Sequence, residues 1–278
     1  MQASSALPLV VDSPHSWRDW PAFVPTVAPP TALASSWDAY VDELWAHAVD
    51  GRAPLLSARF HRSYIDANRA RDDIDPDMLQ ENWPSPLQPT DKSSRGFGLI
   101  RRFALPGVPL YDHLLPVHEV QSRITRCYDP YHQALSDLID HTRATRGMCL
   151  HLDCHSMKSV GNAMNDDNGE ARPDMVVSDL DGATASSHWT QTVAVLLRAR
   201  GFQVGVNAPY KGAELIRRHG RPEQGCHSLQ IEINRALYMN EQTFEKSQGF
   251  AVLADKLRGF VTDLAQVLGP VPNGQKTP

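Results

Sequence analysis

Cysteine is scarce in this chain: four in 278 residues, at positions 127, 149, 154 and 226. They form no Cys-x-x-Cys pair and no regular spacing, so free thiols are expected rather than a disulfide framework. Long apolar runs are missing too. The longest early one, around Leu9-Val10-Val11, is far too short to span a bilayer. No basic residue precedes it, so it does not read as a secretory signal, and a cytoplasmic location is expected. Positive charge is not in excess: Lys+Arg is 27 against Asp+Glu 32, a formal charge of −5. That balance argues against nucleic acid as the partner. Repeats, heptads and low-complexity tracts are absent. The expected partner is a small molecule, with neither nucleic acid nor membrane, and an oligomer is compatible with everything above.

What is present is ordinary for a soluble globular protein, with 41% hydrophobic and 21% charged residues. At roughly 100–200 residues per domain, the length allows one large domain or two small ones. No strong boundary is visible, so a single domain over 1–278 is expected, with a long irregular loop around 72–109 rich in Pro, Asp, Ser and Gly. A second Pro- and Ala-rich stretch, Pro21 to Pro30, also reads as loop. Short apolar runs bounded by turn residues predict strands at Leu7–Asp12, Leu55–Phe60, Met148–Asp153, Met175–Ser178, Phe202–Asn207 and Ser228–Ile233.

Helical patterns lie between the strands. Trp37, Tyr40, Val41, Leu44, Trp45 and Ala48 make the apolar stripe of an amphipathic helix, with Ser35 or Ser36 as its expected cap. Tyr131–Arg146, Ser187–Arg200 and Glu241–Leu268 also read as helices, and Gly147 and Gly201 follow two of them, where a left-handed residue often ends a helix. Alternating strands and helices predict an α/β fold with a mainly parallel sheet.

In such sheets, sites form beyond the carboxyl ends of strands. The sequence puts polar residues at several of those ends. His151, Asp153 and His155 alternate and so share one face of a strand. Two imidazoles and a carboxylate on a buried face bind a metal or hydrogen-bond one another. Glu232 lies between Ile231 and Ile233. The ordinary expectation is a solvent-facing carboxylate on an edge strand; the alternative is a carboxylate poised in a cleft for proton transfer. The run Arg59 to Arg69 concentrates guanidinium and amide donors, which suits either a solvated loop or an anionic ligand.

Taken in order along the chain, the motifs resemble the N-formylglutamate amidohydrolase (deformylase) family. They are Ser-Pro-His15-Ser, Asp38-Ala-Tyr-Val-Asp42-Glu-Leu, Arg62-Ser-Tyr-Ile-Asp66-Ala-Asn68-Arg69 and Gly96-Phe-Gly-Leu-Ile. Then come Tyr128-Asp-Pro-Tyr-His132, Asp153-Cys-His155-Ser-Met, Arg172-Pro-Asp174, Tyr210-Lys-Gly212 with Arg217, and Gln230-Ile-Glu232-Ile-Asn-Arg235-Ala-Leu-Tyr238-Met. The family is similar in architecture to zinc carboxypeptidases and aspartoacylase. The resemblance therefore implies a three-layer α/β/α fold with a central mixed sheet, zinc-exopeptidase-like, and one divalent metal ion, usually zinc.

It implies His15 and His155 as ligands, with Asp38 as the carboxylate ligand and Asp42 or Asp19 as rivals. Asp153 would orient His155. The implied reaction hydrolyses N-formyl-L-glutamate to formate and L-glutamate, a step usually found in histidine degradation. Glu232 would shuttle the proton, Arg62 would stabilise the oxyanion, Asn68 and Arg69 would hold the α-carboxylate, and Arg217 the side-chain carboxylate. Trp17 departs from the pattern, since many relatives carry Gly after the His-Ser pair, and a bulky indole there bears on which acyl group is accepted. The competing readings are a metal-dependent deacylase of another N-acyl amino acid and an inactive small-molecule-binding relative. A serine hydrolase lacks support, because no Gly-x-Ser-x-Gly elbow surrounds Ser13, Ser16 or Ser156.

Overall fold

The computed structural model describes residues 7–161 and 167–269. The strands are β1 (Leu9–Ser13), β2 (Leu55–Ser57), β3 (Phe103–Leu105), β4 (Val108–Pro109), β5 (Cys149–Met157), β6 (Met175–Ser178), β7 (Val204–Val206) and β8 (Cys226–Asn234). The helices are α1 (Pro30–Ala34), α2 (Val41–Val49), α3 (Asp91–Ser94), α4 (Val117–Arg123), α5 (Asp129–Arg146), α6 (Ser187–Ala199), α7 (Glu214–His219) and α8 (Gly249–Leu268). By its contacts the chain divides into two compact units. One comprises residues 1–13, 40–56 and 136–278, the other residues 14–39 and 57–135.

The first unit is built on a six-stranded sheet of order β2-β1-β5-β8-β6-β7. β1, β5 and β8 run parallel, β6 is antiparallel to β8, and β7 is parallel to β6. All six strands expected from the sequence are present, and together they make this mixed sheet. β5 and β8 lie at its centre, and each extends past its predicted end. β5 is buried along its whole length, as a central strand covered on both faces must be. Helices cover the sheet: α2 packs on β1 and β5, α7 on β8, and α6 on β6 and β7. α2 also packs on α8, where Trp45 meets Phe260 edge-on at 6.3 Å. This is an α/β fold around a central mixed sheet.

Several boundaries differ from expectation, each for a local reason. Tyr40 adopts φ 62°, so the apolar stripe from Trp37 becomes helical only at Val41, and no side chain of Ser35 or Ser36 caps it. Residues 241–248 are not helical. The Asn240 side chain accepts from the Gln242 and Thr243 amides, and Phe244 takes φ 59°, which folds a turn where the apolar pattern alone predicts a helix. Residues 58–60 do not continue β2.

The second unit has little regular structure beyond α1, α3, α4, the start of α5 and the β3–β4 hairpin, which falls inside the expected 72–109 loop. Its core gathers Ile65, Ile74, Leu99, Ile100, Val120 and Tyr128. Arg123 lies within that core: Nη1 donates to Tyr64 O and to the Tyr111 hydroxyl, and the guanidinium stacks 4.3 Å from the Tyr64 ring centroid. Residues 96–101 dock onto 66–73 by backbone bonds from Asp66 N to Leu99 O at 2.9 Å and from Leu99 N to Asp73 O at 2.8 Å.

Gly98 makes that docking close. A Cβ there would meet Asp73 O at 2.5 Å and Ser93 Cβ at 2.6 Å. Gly98→Ala is expected to destabilise the protein by about 1–3 kcal/mol through this overpacking. The check is a denaturant melt; an unchanged midpoint contradicts the docking argument.

Candidate active site

The polar side chains flagged by the sequence fall into two groups, one in each unit. In the first unit they sit where β5 and β8 run side by side. His155 and Glu232 are Cα partners in this parallel pair, as are Asp153 and Gln230, so their side chains share a face. His155 Nε2 lies 2.7 Å from Asp153 Oδ1. One strand over, His151 Nε2 meets Asp12 Oδ1 at 2.8 Å and His151 Nδ1 meets Ser228 Oγ at 2.6 Å. Burial pushes the Asp153 carboxyl up, against the pull of His155, and Asp12 adds to the rise.

Glu232 corrects the ordinary sequence expectation. β8 is central, not an edge strand, and Glu232 is only 8% exposed. Gln230 Nε2 donates to its Oε1 at 3.0 Å. Around it stand Tyr210, whose hydroxyl is pushed up to about 12 by burial and by the Glu232 charge, and Arg172. Arg172 is held by a two-pronged ion pair to Asp167 at 2.6 and 2.9 Å and lies over the Tyr210 ring at 5.0 Å. Arg217, on α7, is 61% exposed in its side chain and pairs with Glu214 at 3.3 Å.

In the second unit, two short segments are laced together. Asp38 N donates to His15 O, Ser16 Oγ to Asp38 O, and Trp37 Nε1 to Ser16 O. The lacing brings Asp38 Oδ2 to 3.5 Å from His15 Nδ1, both side chains buried. Asp38 precedes α2 rather than lying in its first turn. Asp19 is exposed, and Asp42 accepts from the Glu43 amide. Trp17 is half-buried, with Arg59 over its ring at 5.2 Å.

Asp66 ties this group together. Its Oδ1 takes His15 Nε2 at 2.7 Å and Asn68 N at 3.0 Å. Its Oδ2 takes Arg62 Nε and Nη2 at 3.3 and 3.0 Å and Arg101 Nη2 at 3.2 Å. Burial alone would raise this carboxyl, but Arg62, His15 and Arg101 outweigh it and hold the group well below the usual range. Arg62 Nη1 also lies 3.8 Å from Asp38 Oδ1, and Arg69 Nε donates to Phe97 O at 3.0 Å. His15 thus stands between two buried aspartates, Asp66 at Nε2 and Asp38 at Nδ1.

Sequence reasoning gave no role to Asp66, Arg101, Asp12 or Gln230, and His151, a candidate ligand in the β5 pattern, is held by Asp12 and Ser228. Asp66 and Gln230 stood inside quoted motifs. Asp12, at the end of β1, is the Cα partner of Asp153, a relation that only strand register reveals.

The profile of the N-formylglutamate amidohydrolase family matches residues 7–239, which takes in every strand and both groups of side chains. The chain belongs to the N-formylglutamate amidohydrolase family. Over 266 residues it is 27% identical to the N-formylglutamate deformylase of Pseudomonas aeruginosa, covering 94% of this chain and 92% of that one. It is also 27% identical over 239 residues to the N-formylglutamate deformylase of Pseudomonas putida, covering 84% of this chain and 83% of the relative. Among solved structures it is similar to the N-formylglutamate amidohydrolase from Ralstonia eutropha JMP134, with 40% identity, a TM-score of 0.88, and 96% and 95% of the two chains covered. No described helix is long and apolar enough to cross a membrane.

His61, between Arg59 and Arg62, gives a pH prediction. It is fully buried, and burial, helped by the Arg101 charge, lowers it from 6.5 to about 4. The unfolded chain takes up this proton near 6.5 and the folded chain only near 4, so stability falls as pH drops through that window and then levels off. The shift corresponds to roughly 3 kcal/mol. His61→Asn is expected to flatten the fall in melting temperature between pH 6.5 and 4; an equally steep fall in the variant contradicts the assignment.

Proposed function

We propose that the protein hydrolyses N-formyl-L-glutamate to formate and L-glutamate with the help of one divalent cation, zinc by the chemistry of the donors. His15, Asp38 and His155 are the residues that would hold it. The observation that carries this reading is the pairing of His155 with a buried Glu232 across two central strands. A metal-ligating imidazole whose other nitrogen is fixed by a carboxylate is the usual arrangement in metal sites, and both His15 with Asp66 and His155 with Asp153 have it. Chain connectivity supports a shared ion. His15 lies two residues beyond the end of β1, a reach of about 7 Å at most, and β1 pairs with β5. Two imidazoles and one carboxylate leave the coordination open for substrate, as catalytic zinc sites do.

When bound, the ion supplies Lewis acidity toward the amide oxygen and toward water. The rest falls to the chain. Glu232, its Oε1 fixed by Gln230, takes a proton from the attacking water as the new C–O bond forms. It returns a proton to the glutamate nitrogen as the C–N bond breaks. Arg62, locked onto Asp66, offers its guanidinium to charge developing on the formyl oxygen. Asn68 and Arg69 hold the α-carboxylate. They stand one and two residues after the 66–67 turn, with Asn68 N bonded to Asp66. Arg217 is the guanidinium that sequence position offers to the side-chain carboxylate. The formyl group is too small to orient itself, so the carboxylates must fix the reacting geometry.

Three outcomes check this reading. Glu232→Gln is expected to keep the bound ion and lower kcat by about 10²–10⁴-fold, read as formate release; turnover within a few-fold of wild type removes Glu232 from the proton path. Asp66→Asn is expected to weaken zinc binding by the metal-free protein about 10–100-fold, measured by calorimetry, and unchanged affinity contradicts the His15 assignment. A panel of N-formyl and N-acetyl amino acids tests the substrate; activity on N-acetyl-aspartate with none on N-formyl-glutamate overturns it.

A further inference from the structure

The Gly96–Ile100 motif has no part in the reaction described above, yet it ends next to a guanidinium placed with care. The docking that crowds Gly98 brings Arg101 back over the 66–69 turn. Arg101 is 7% exposed. Its Nη2 donates to Asp66 Oδ2 at 3.2 Å, its guanidinium lies 5.6 Å from the Phe97 ring centroid, and its Nε is sealed from solvent without an acceptor. Among the described residues the guanidinium makes that one hydrogen bond, through Nη2, and Nη1 is left over. Arg69 reaches the same residue from the other direction, through Phe97 O.

Charge points the same way. Arg62 and Arg101 share one buried carboxylate, Asp66, and the Arg69 charge also acts on Arg101. Burial, the Arg62 charge and the Arg69 charge together pull the Arg101 guanidinium down to about 9, against the support of Asp66. A cation that is buried, repelled by two others and left with unused donors is stabilised by a further anion. A guanidinium edge presents the geometry that a carboxylate accepts.

We propose that Arg101 is a substrate-binding residue that takes the second carboxylate of a dicarboxylic substrate through Nη1 and so selects acidic side chains over their neutral amides. The inference rests on the proposed deformylase reading, which it deepens. It assigns to Arg101 the carboxylate that sequence position offers to Arg217, whose side chain is exposed and engaged by Glu214.

The test separates binding from turnover. Calorimetry with wild-type protein is expected to show L-glutamate binding at least about 10-fold tighter than L-glutamine, the worth of a charge-assisted pair; equal binding overturns the proposal. Arg101→Gln and Arg101→Lys should each weaken L-glutamate about 10–100-fold and leave L-glutamine unchanged, the lysine failing because a single ammonium cannot stand at the two positions that Nη2, on Asp66, and Nη1 hold at once. In turnover, the same variants should raise KM for N-formyl-glutamate with little change in kcat and spare N-formyl-glutamine. Retained discrimination in both variants overturns the proposal.

If the Arg101 variants do not fold, Arg217→Gln decides. Discrimination kept in Arg217→Gln supports Arg101, and discrimination lost there assigns the carboxylate to Arg217 and overturns the proposal. A wild-type protein that binds L-glutamate in this Arg101-dependent way but releases no formate from N-formyl-glutamate would leave the inference standing and remove the deformylase reading.

Discussion

A single buried carboxylate, Asp66, sets the geometry of the second unit. Each of its oxygens is engaged, one by His15 and the Asn68 amide, the other by Arg62 and Arg101. A carboxylate with no solvent contact is tolerable only when paired and hydrogen-bonded in this way. The same four partners have consequences for chemistry. They commit Nε2 of His15 and so leave Nδ1 facing Asp38. They fix Arg62 in one orientation, turn the chain so that Asn68 and Arg69 follow directly, and anchor the far end of the 96–101 segment. Loss of Asp66 would release all of these together, leaving Arg101 buried without its counter-charge.

The sheet imposes a matching constraint on the first unit. Parallel pairing of β5 and β8 fixes the register, and the register puts His155 beside Glu232 and Asp153 beside Gln230. A slip of one residue would turn these side chains to the opposite face. Apolar residues along both strands prevent such a slip, because Leu150, Leu152, Cys154, Leu229, Ile231 and Ile233 are all fully buried. The hydrophobic pattern thus does two jobs: it stabilises the sheet and aims the polar face. One device recurs in both units, an imidazole with Nε2 beside an aspartate.

Much of this was legible in the residues. Short apolar runs flanked by turn residues identified every strand of the main sheet, because a buried strand has little freedom in composition. The alternation of His151, Asp153 and His155 correctly implied a shared face. Asp38 was preferred over Asp19 and Asp42 by motif order, and its side chain is the one beside His15 in the second unit. The failures have physical causes. Glu232 read as an edge carboxylate because local alternation carries no information about a strand's place in the sheet; β8 became central through long-range pairing with β5 and β6. Tyr40 and Phe244, in left-handed backbone, delay the start of helices that apolar periodicity alone would begin earlier. Arg101 was invisible as a functional candidate, since its bond to Asp66 spans 35 residues and depends on the close approach at Gly98. Aspartates 12 and 66 were likewise visible as letters, but their partners were set by register and by docking.

The proposed function stands or falls on a divalent cation held by His15, Asp38 and His155. Anomalous diffraction from crystals of the zinc-loaded protein, collected on both sides of the metal absorption edge, tests it most directly. We expect one strong peak within ordinary coordination distance, about 2.0–2.2 Å, of one ring nitrogen from each histidine and an Asp38 oxygen. A fully occupied ion bound elsewhere would contradict it.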